Sequence, residues 1–275
     1  MVPPFPTDAR ALEPRASQSI TPEGSPRYHV PMSVTWGLIR DAVAGRRRSF
    51  AGDARTAVRA LRPAPLVIGT EAIPATGACL VVCNHYTRAG LGAWWIALTI
   101  AAAIADRREP GAPCDVHWVT TAAWRYPHGD WRRRVVTPAT RWAFARVAGV
   151  YDFVTMPPMP PDPDEVEARA IAILRTLRLA QRLVTEGGLL GLVPEGRDTP
   201  GLLGEPPTGA GSFIALLVET GMPVLPVGLA EHAGRLHLSF GVPFVPKVAR
   251  RRALRDRAVI DQVLDAIAAQ LPIPT

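Results

Sequence analysis

Residues 78–90 read Ala78-Cys79-Leu80-Val81-Val82-Cys83-Asn84-His85-Tyr86-Thr87-Arg88-Ala89-Gly90. The run from Cys79 to Cys83 is short, apolar and rich in β-branched valine, and it follows Gly77, so it predicts a buried strand. The pattern stops at once on two polar side chains, Asn84 and His85. An apolar helix is predicted next, from about Leu91 to Arg107. A histidine at the end of such a strand sits at the carboxyl edge of a sheet, where open α/β folds hold their ligands. Imidazole titrates near neutrality and can take a proton and return it. Taken singly, such a residue is more simply explained as a hydrogen-bonded loop histidine.

A second apolar run, Leu189 to Val193, breaks in the same way into Pro194-Glu195-Gly196-Arg197-Asp198, about 110 residues further on. Strand and helix patterns alternate around these two breaks. Strands are predicted at Leu66–Ile68, Asp115–Thr121, Tyr151–Val154, Val224–Leu229 and Leu236–Phe240. Helices are predicted at Pro138–Ala148, from Asp162 (N-cap, with Pro163 and Glu165 in the first turn) to Gly187, at Gly209–Gly221 and at Arg252–Gln270. Pro226 inside its apolar run predicts a strand end or a bulge. Alternation of this kind implies an α/β fold, a largely parallel central sheet flanked by helices. If both polar breaks leave the same sheet edge, His85 meets Glu195 and Arg197 there, and Gly196 lets backbone approach a bound group.

The ends of the chain differ in character. Residues 1–27 hold six prolines and no periodicity, which predicts a disordered tail. Residues 28–62 carry Val34, Leu38, Ile39, Val43, Ala54, Val58 and Leu61 at helical spacing, with Arg40 and Arg46 to Arg48 among them. They predict an N-terminal helical segment, either lying on a membrane or covering the core. Residues 63–275 form the remaining domain. The loop Tyr126–Asp130 and a stiff proline-rich stretch from Met156 to Pro163 interrupt it.

Net charge is +7, and Lys247 is the only lysine, so arginine carries almost all the positive charge. Arginine suits phosphate and carboxylate, and the clusters at Arg46–Arg48, Arg132–Arg134 and Arg250–Arg252 predict an anionic membrane surface or a phosphate-bearing substrate. No nucleic-acid fingerprint accompanies them. Three cysteines, with Cys79 and Cys83 ~13 Å apart along one strand, predict neither a disulfide nor a metal site. A cytoplasmic protein is expected. Pro3, Pro4, Pro6 and Asp8 stand where a signal peptide would be apolar. The apolar run Ala89–Ala105, 17 residues with glycines, predicts a buried helix in preference to a membrane span.

Three stretches together, Asn84-His85, Val193-Pro194-Glu195-Gly196-Arg197 and Gly221-Met222-Pro223-Val224-Leu225-Pro226-Val227-Gly228, resemble the glycerol-phosphate and lysophospholipid acyltransferase family (PlsC type). Their order and separation match, from about Leu66 to Val245. The resemblance implies an acyltransferase-like fold and the movement of a fatty acyl group from acyl-CoA or acyl carrier protein to a hydroxyl of a lysophospholipid, glycerol phosphate or related acceptor. No cofactor is implied beyond that co-substrate. His85 would act as general base beside Asn84, with no acyl-enzyme. Glu195, Gly196 and Arg197 would bind the acceptor phosphate, and Pro223 to Pro226 would line the acyl side at the inner membrane face.

The chain also departs from the family pattern. Where the family has an aspartate five residues after the histidine, this chain has Gly90. The orienting carboxylate is then Asp198, Asp115 or none; losing the corresponding partner in a Ser-His-Asp triad costs about 10⁴ in rate. Arg197 follows Gly196 directly, without the usual intervening residue. Phe153 to Met156 lacks the arginine often found there, which leaves Arg88 as a substitute. Two rival expectations follow: a weak or inactive acyltransferase-like protein that holds a lipid, and a thiol hydrolase using Cys83 with His85.

Overall fold

The computed structural model describes residues 28–88, 90–124, 131–158, 165–196, 202–232, 234–249 and 251–272. The predicted tail, the Tyr126–Asp130 loop and the Asp162-Pro163 helix start lie outside these residues. Strands β1 (Leu66–Ile68), β2 (Cys79–Cys83), β3 (Val116–Thr121), β4 (Val154–Met156), β5 (Leu189–Leu192), β6 (Val224–His232) and β7 (Arg235–Phe240) form one sheet in the order β1-β7-β6-β2-β5-β3-β4. Every pairing is parallel except β6 with β7. The short connection around Gly234 admits only a hairpin, whereas parallel neighbours need a longer crossover. The chain is thus α/β with a mostly parallel sheet flanked by helices.

β2 occupies the centre and is buried along its whole length. Its side chains alternate between two layers. Cys79, Val81 and Cys83 join a core with α2 (Phe50–Ala60) and α3 (Trp94–Arg107). Leu80 and Val82 join a core with α5 (Val166–Glu186), α6 (Ala210–Glu219) and α7 (Arg252–Ala268). α1 (Met32–Ala44) and α4 (Thr137–Tyr151) pack against each other outside the first layer.

Several local expectations change on packing. Tyr151 ends α4, and β4 begins at Val154, because Asp152 adopts a left-handed cap (φ 56°) between them. Of the two expectations for Pro226, the bulge holds and the strand end does not: it lies inside β6, where the antiparallel register shifts by one residue between Val227 with Phe240 and Val224 with Phe244. Val224 exchanges both backbone bonds with Phe244, and the Pro226 carbonyl accepts the Gly241 N–H on the same flank. The missing proline donor therefore falls just past the last β6–β7 pair, Val227 with Phe240, where the ladder needs none. α3 is a core helix of 14 residues, ~21 Å long, and no described helix is long and apolar enough to cross a membrane.

Arg48 departs from the expected surface cluster. Its guanidinium donates to Asp41 Oδ2 (2.7 Å) and to both oxygens of Asp53 (2.6 and 2.9 Å), and the Tyr151 hydroxyl donates to Asp53 (2.8 Å). This network ties α1, α2 and α4 together. On α1 the expected apolar stripe divides: Val34 is buried and Leu38 half-buried, while Met32, Trp36, Ile39 and Val43 face outward.

Candidate active site

β2 and β5 run side by side, with Cys79 opposite Leu189 and Val82 opposite Leu192. Continuing that register brings residue 85 opposite residue 195. Glu195 Oε1 accepts the His85 backbone N–H at 2.7 Å. Its other oxygen accepts the Gly204 N–H, also at 2.7 Å, and the residue is wholly buried. Glu195 therefore links the His85 backbone to the segment that follows β5.

Asn84 makes a matching link on the other side. Its Nδ2 donates to the carbonyls of Leu202 (2.7 Å) and Leu229 (2.8 Å), and its Oδ1 accepts the Leu229 N–H (2.8 Å). A side-chain amide thus extends the β2–β6 ladder one step past the end of β2. Every polar atom of this buried amide is bonded to backbone, as burial requires. His85 is half-buried, with Nδ1 turned inward.

Gly196 adopts a left-handed conformation (φ 63°) and closes a turn in which its N–H reaches the Val193 carbonyl. Arg197 and Asp198, predicted to join the site, lie outside the described residues. Asp115 stands at the opposite, amino edge of the sheet. There it accepts from Ser49 Oγ (2.9 Å) and the Ala51 N–H (2.6 Å) at the start of α2. That position removes Asp115 as a partner for His85.

Gly90 sits in a tight turn, bridged by Arg88 and Leu91, at φ 82°. Arg88 does not open onto a free anion site. It grips both oxygens of Glu231, with Nη2 to Oε1 at 2.7 Å, and lies 5.4 Å from the Tyr28 ring centre. Burial raises the Tyr28 and Tyr86 phenols above their ordinary range, with the Glu231 charge adding to it. Glu231 and Tyr28 escaped the sequence reading. The signal was present for Glu231, which follows the apolar run of β6 as His85 follows that of β2.

Pro226 is buried in the interior. Its neighbours Leu225 and Val227 face the α2–α3 layer, so its ring faces the α7 side, near Gly241 and Gln270. Cys83 is fully buried, and burial followed by the Glu195 charge pushes its thiol well above the ordinary range. A thiol so placed is inert packing, which argues against the hydrolase expectation. An aromatic cluster marks the same sheet edge. Trp94, at the start of α3, stacks on Phe144 at 6.2 Å, and Trp124, just beyond β3, meets Phe144 edge-on at 5.3 Å.

No protein-family model matches the chain, and no curated protein matches it. Among solved structures, the chain is similar to PlsC, the 1-acyl-sn-glycerophosphate (LPA) acyltransferase from Thermotoga maritima. Identity is 17%, the match covers 86% of this chain and 82% of that one, and the TM-score is 0.41. A likeness at that level bears on neither activity nor residue roles.

Proposed function

We propose that the chain is an O-acyltransferase whose general base is His85. The observation that carries this reading is the in-register delivery of His85 and the Pro194-Glu195-Gly196 turn to one sheet edge, locked by the Glu195 to His85 hydrogen bond. The imidazole takes the proton of an acceptor hydroxyl as the oxygen attacks the carbonyl of a thioester from acyl-CoA or acyl carrier protein. The oxygen–acyl bond forms, the carbon–sulfur bond breaks, and the imidazolium returns its proton to the departing thiolate. Asn84 and Glu195 fix the backbone that carries His85 and touch no reacting atom. The acceptor belongs to the lysophospholipid or glycerol-phosphate class, and its phosphate falls to Arg197, with Arg88 engaged by Glu231. The aromatic cluster of Trp94, Trp124 and Phe144 supplies an apolar wall for the acyl chain.

The reaction takes place with the protein lying on the inner membrane face. α1 turns Met32, Trp36, Ile39 and Val43 outward, and the neighbouring α4, with the turn before it, exposes Trp131, Val135 and Trp142. Exposed tryptophans on the same two segments as the exposed Arg40, Arg46 and Arg134 fit the interface of an anionic bilayer.

The deciding experiment measures acyl transfer from a labelled long-chain acyl-CoA or acyl carrier protein to lysophospholipid by purified His85→Ala and His85→Gln proteins. Both are expected to lose at least about 10²-fold in kcat with unchanged melting temperature. Wild-type turnover in either variant would remove His85 from the mechanism. Gly90, in place of an acid, favours a second reading: a lipid-binding protein without turnover. Co-purifying lipid together with no transfer by the wild-type protein would select it.

A further inference from the structure

Away from the His85 edge, α5 packs against the edge strand β4, and together they border an open surface cleft of about 380 Å³. Val154 and Leu179 contribute apolar surface, and Arg175, Arg178, Arg182 and Asp152 contribute the charge. The three arginines recur at helical spacing, so their guanidiniums share one face and repel one another. Asp152, the carboxylate of the cavity, is already shared. Arg182 bonds it at 2.5 Å, Arg47 lies 3.4 Å away, and His117 Nδ1 lies 3.8 Å away. Burial works to raise the Asp152 pKa, but the Arg182 hydrogen bond and the surrounding charges outweigh it and hold the acid ionised. Among the described residues, no carboxylate comes within ion-pair reach of Arg175 or Arg178. Three guanidiniums and one carboxylate thus line the concave surface, with Glu186 a further 3.9 Å neighbour of Arg182 alone, and the adjacent guanidiniums of Arg175 and Arg178 suit the oxygens of phosphate.

We infer that the cleft between β4 and α5 binds a soluble, phosphate-bearing small molecule through Arg175 and Arg178, with Arg182 released from Asp152 to join them. This site shares no residue with the His85 edge and does not depend on the acyl-transfer reading. The cavity falls in the size range of small-ligand sites.

Calorimetric titration of the full chain with inorganic pyrophosphate and with ADP tests the inference. Saturable binding is expected for both, and tighter binding for ADP, whose base can cover Val154 and Leu179. Arg175→Ala/Arg178→Ala should weaken binding at least about 10-fold with the melting temperature unchanged. Arg59→Ala/Arg107→Ala, which removes the same charge from an exposed surface elsewhere, should leave it unaltered. Asp152→Asn keeps a residue that tolerates the left-handed turn and removes the competing charge, so it should bind more tightly. The inference is overturned by any of four results: no saturable binding to either probe, undiminished binding by the Arg175/Arg178 variant, equal weakening by the control variant, or association only with phosphatidylglycerol vesicles.

Discussion

Glu195 answers two backbone donors with its two oxygens, and this makes its substitution informative. Glutamine keeps the shape but offers one acceptor and one donor, so Glu195→Gln sets an N–H against either the His85 or the Gly204 N–H. An unsatisfied buried donor costs about 1–3 kcal/mol, a loss that urea denaturation will read directly. Asp41 offers a second residue-scale test. Hydrogen bonds from Arg40 and Arg48 hold its carboxyl down to about 2. A depressed carboxylate contributes stability that is complete above its unfolded value of about 3.9 and is lost as pH falls toward 2. Melting temperature should therefore drop more steeply between about pH 4 and pH 2 in the wild type than in Asp41→Asn. Parallel curves for the two proteins would remove Asp41 from the account of acid lability.

At the scale of elements, two arginines act as staples. Arg48 joins α1, α2 and α4 through Asp41, Asp53 and the neighbouring Tyr151. Arg108, almost fully buried after α3, donates to the carbonyls of Pro74, Gly77 and Gly187 at the amino edge of the sheet. Removing Arg108 leaves three carbonyls short of a donor. Arg108→Ala is expected to cost roughly 2–4 kcal/mol, whereas Arg107→Ala, one residue earlier and exposed, should cost less than about 0.5 kcal/mol. Chemical denaturation of the two variants side by side gives the comparison. Nothing in the Arg107-Arg108 dipeptide distinguishes them. The difference arises because the helix ends with one side chain turned toward the loops below the sheet and the other toward solvent.

The molecule as a whole has a polarity, with the His85 edge at the carboxyl ends of the strands, and the proposed membrane face is made of exposed residues of the packed helices α1 and α4 and the turn before α4. If that face meets a bilayer, Trp36→Ser/Trp131→Ser/Trp142→Ser should lower association with phosphatidylglycerol vesicles by at least about 10-fold. Folding should be untouched, since all three side chains are exposed. Added salt should weaken the wild-type interaction further, through the screening of Arg40, Arg46 and Arg134. Vesicle binding equal to that of the wild type would sink the proposed membrane face.

The order of strands and helices was legible because burial leaves a period in the chain: the unbroken run of β2, the alternation of β7, the helical spacing of α5. So was the meeting of His85 with Glu195, since two parallel strands that break into polar residues at matching positions share an edge. Three other features depended on packing between distant segments. Asp115 was a plausible partner for His85 until the sheet placed it at the opposite end. Arg88 was a plausible phosphate ligand until β6 brought Glu231 against it. Arg48 resembled its neighbours Arg46 and Arg47 until α1 and α2 closed around it. In each case local pattern records whether a side chain is buried or exposed, while the identity of its partner is set by strand order and helix crossing, which no short stretch of sequence carries.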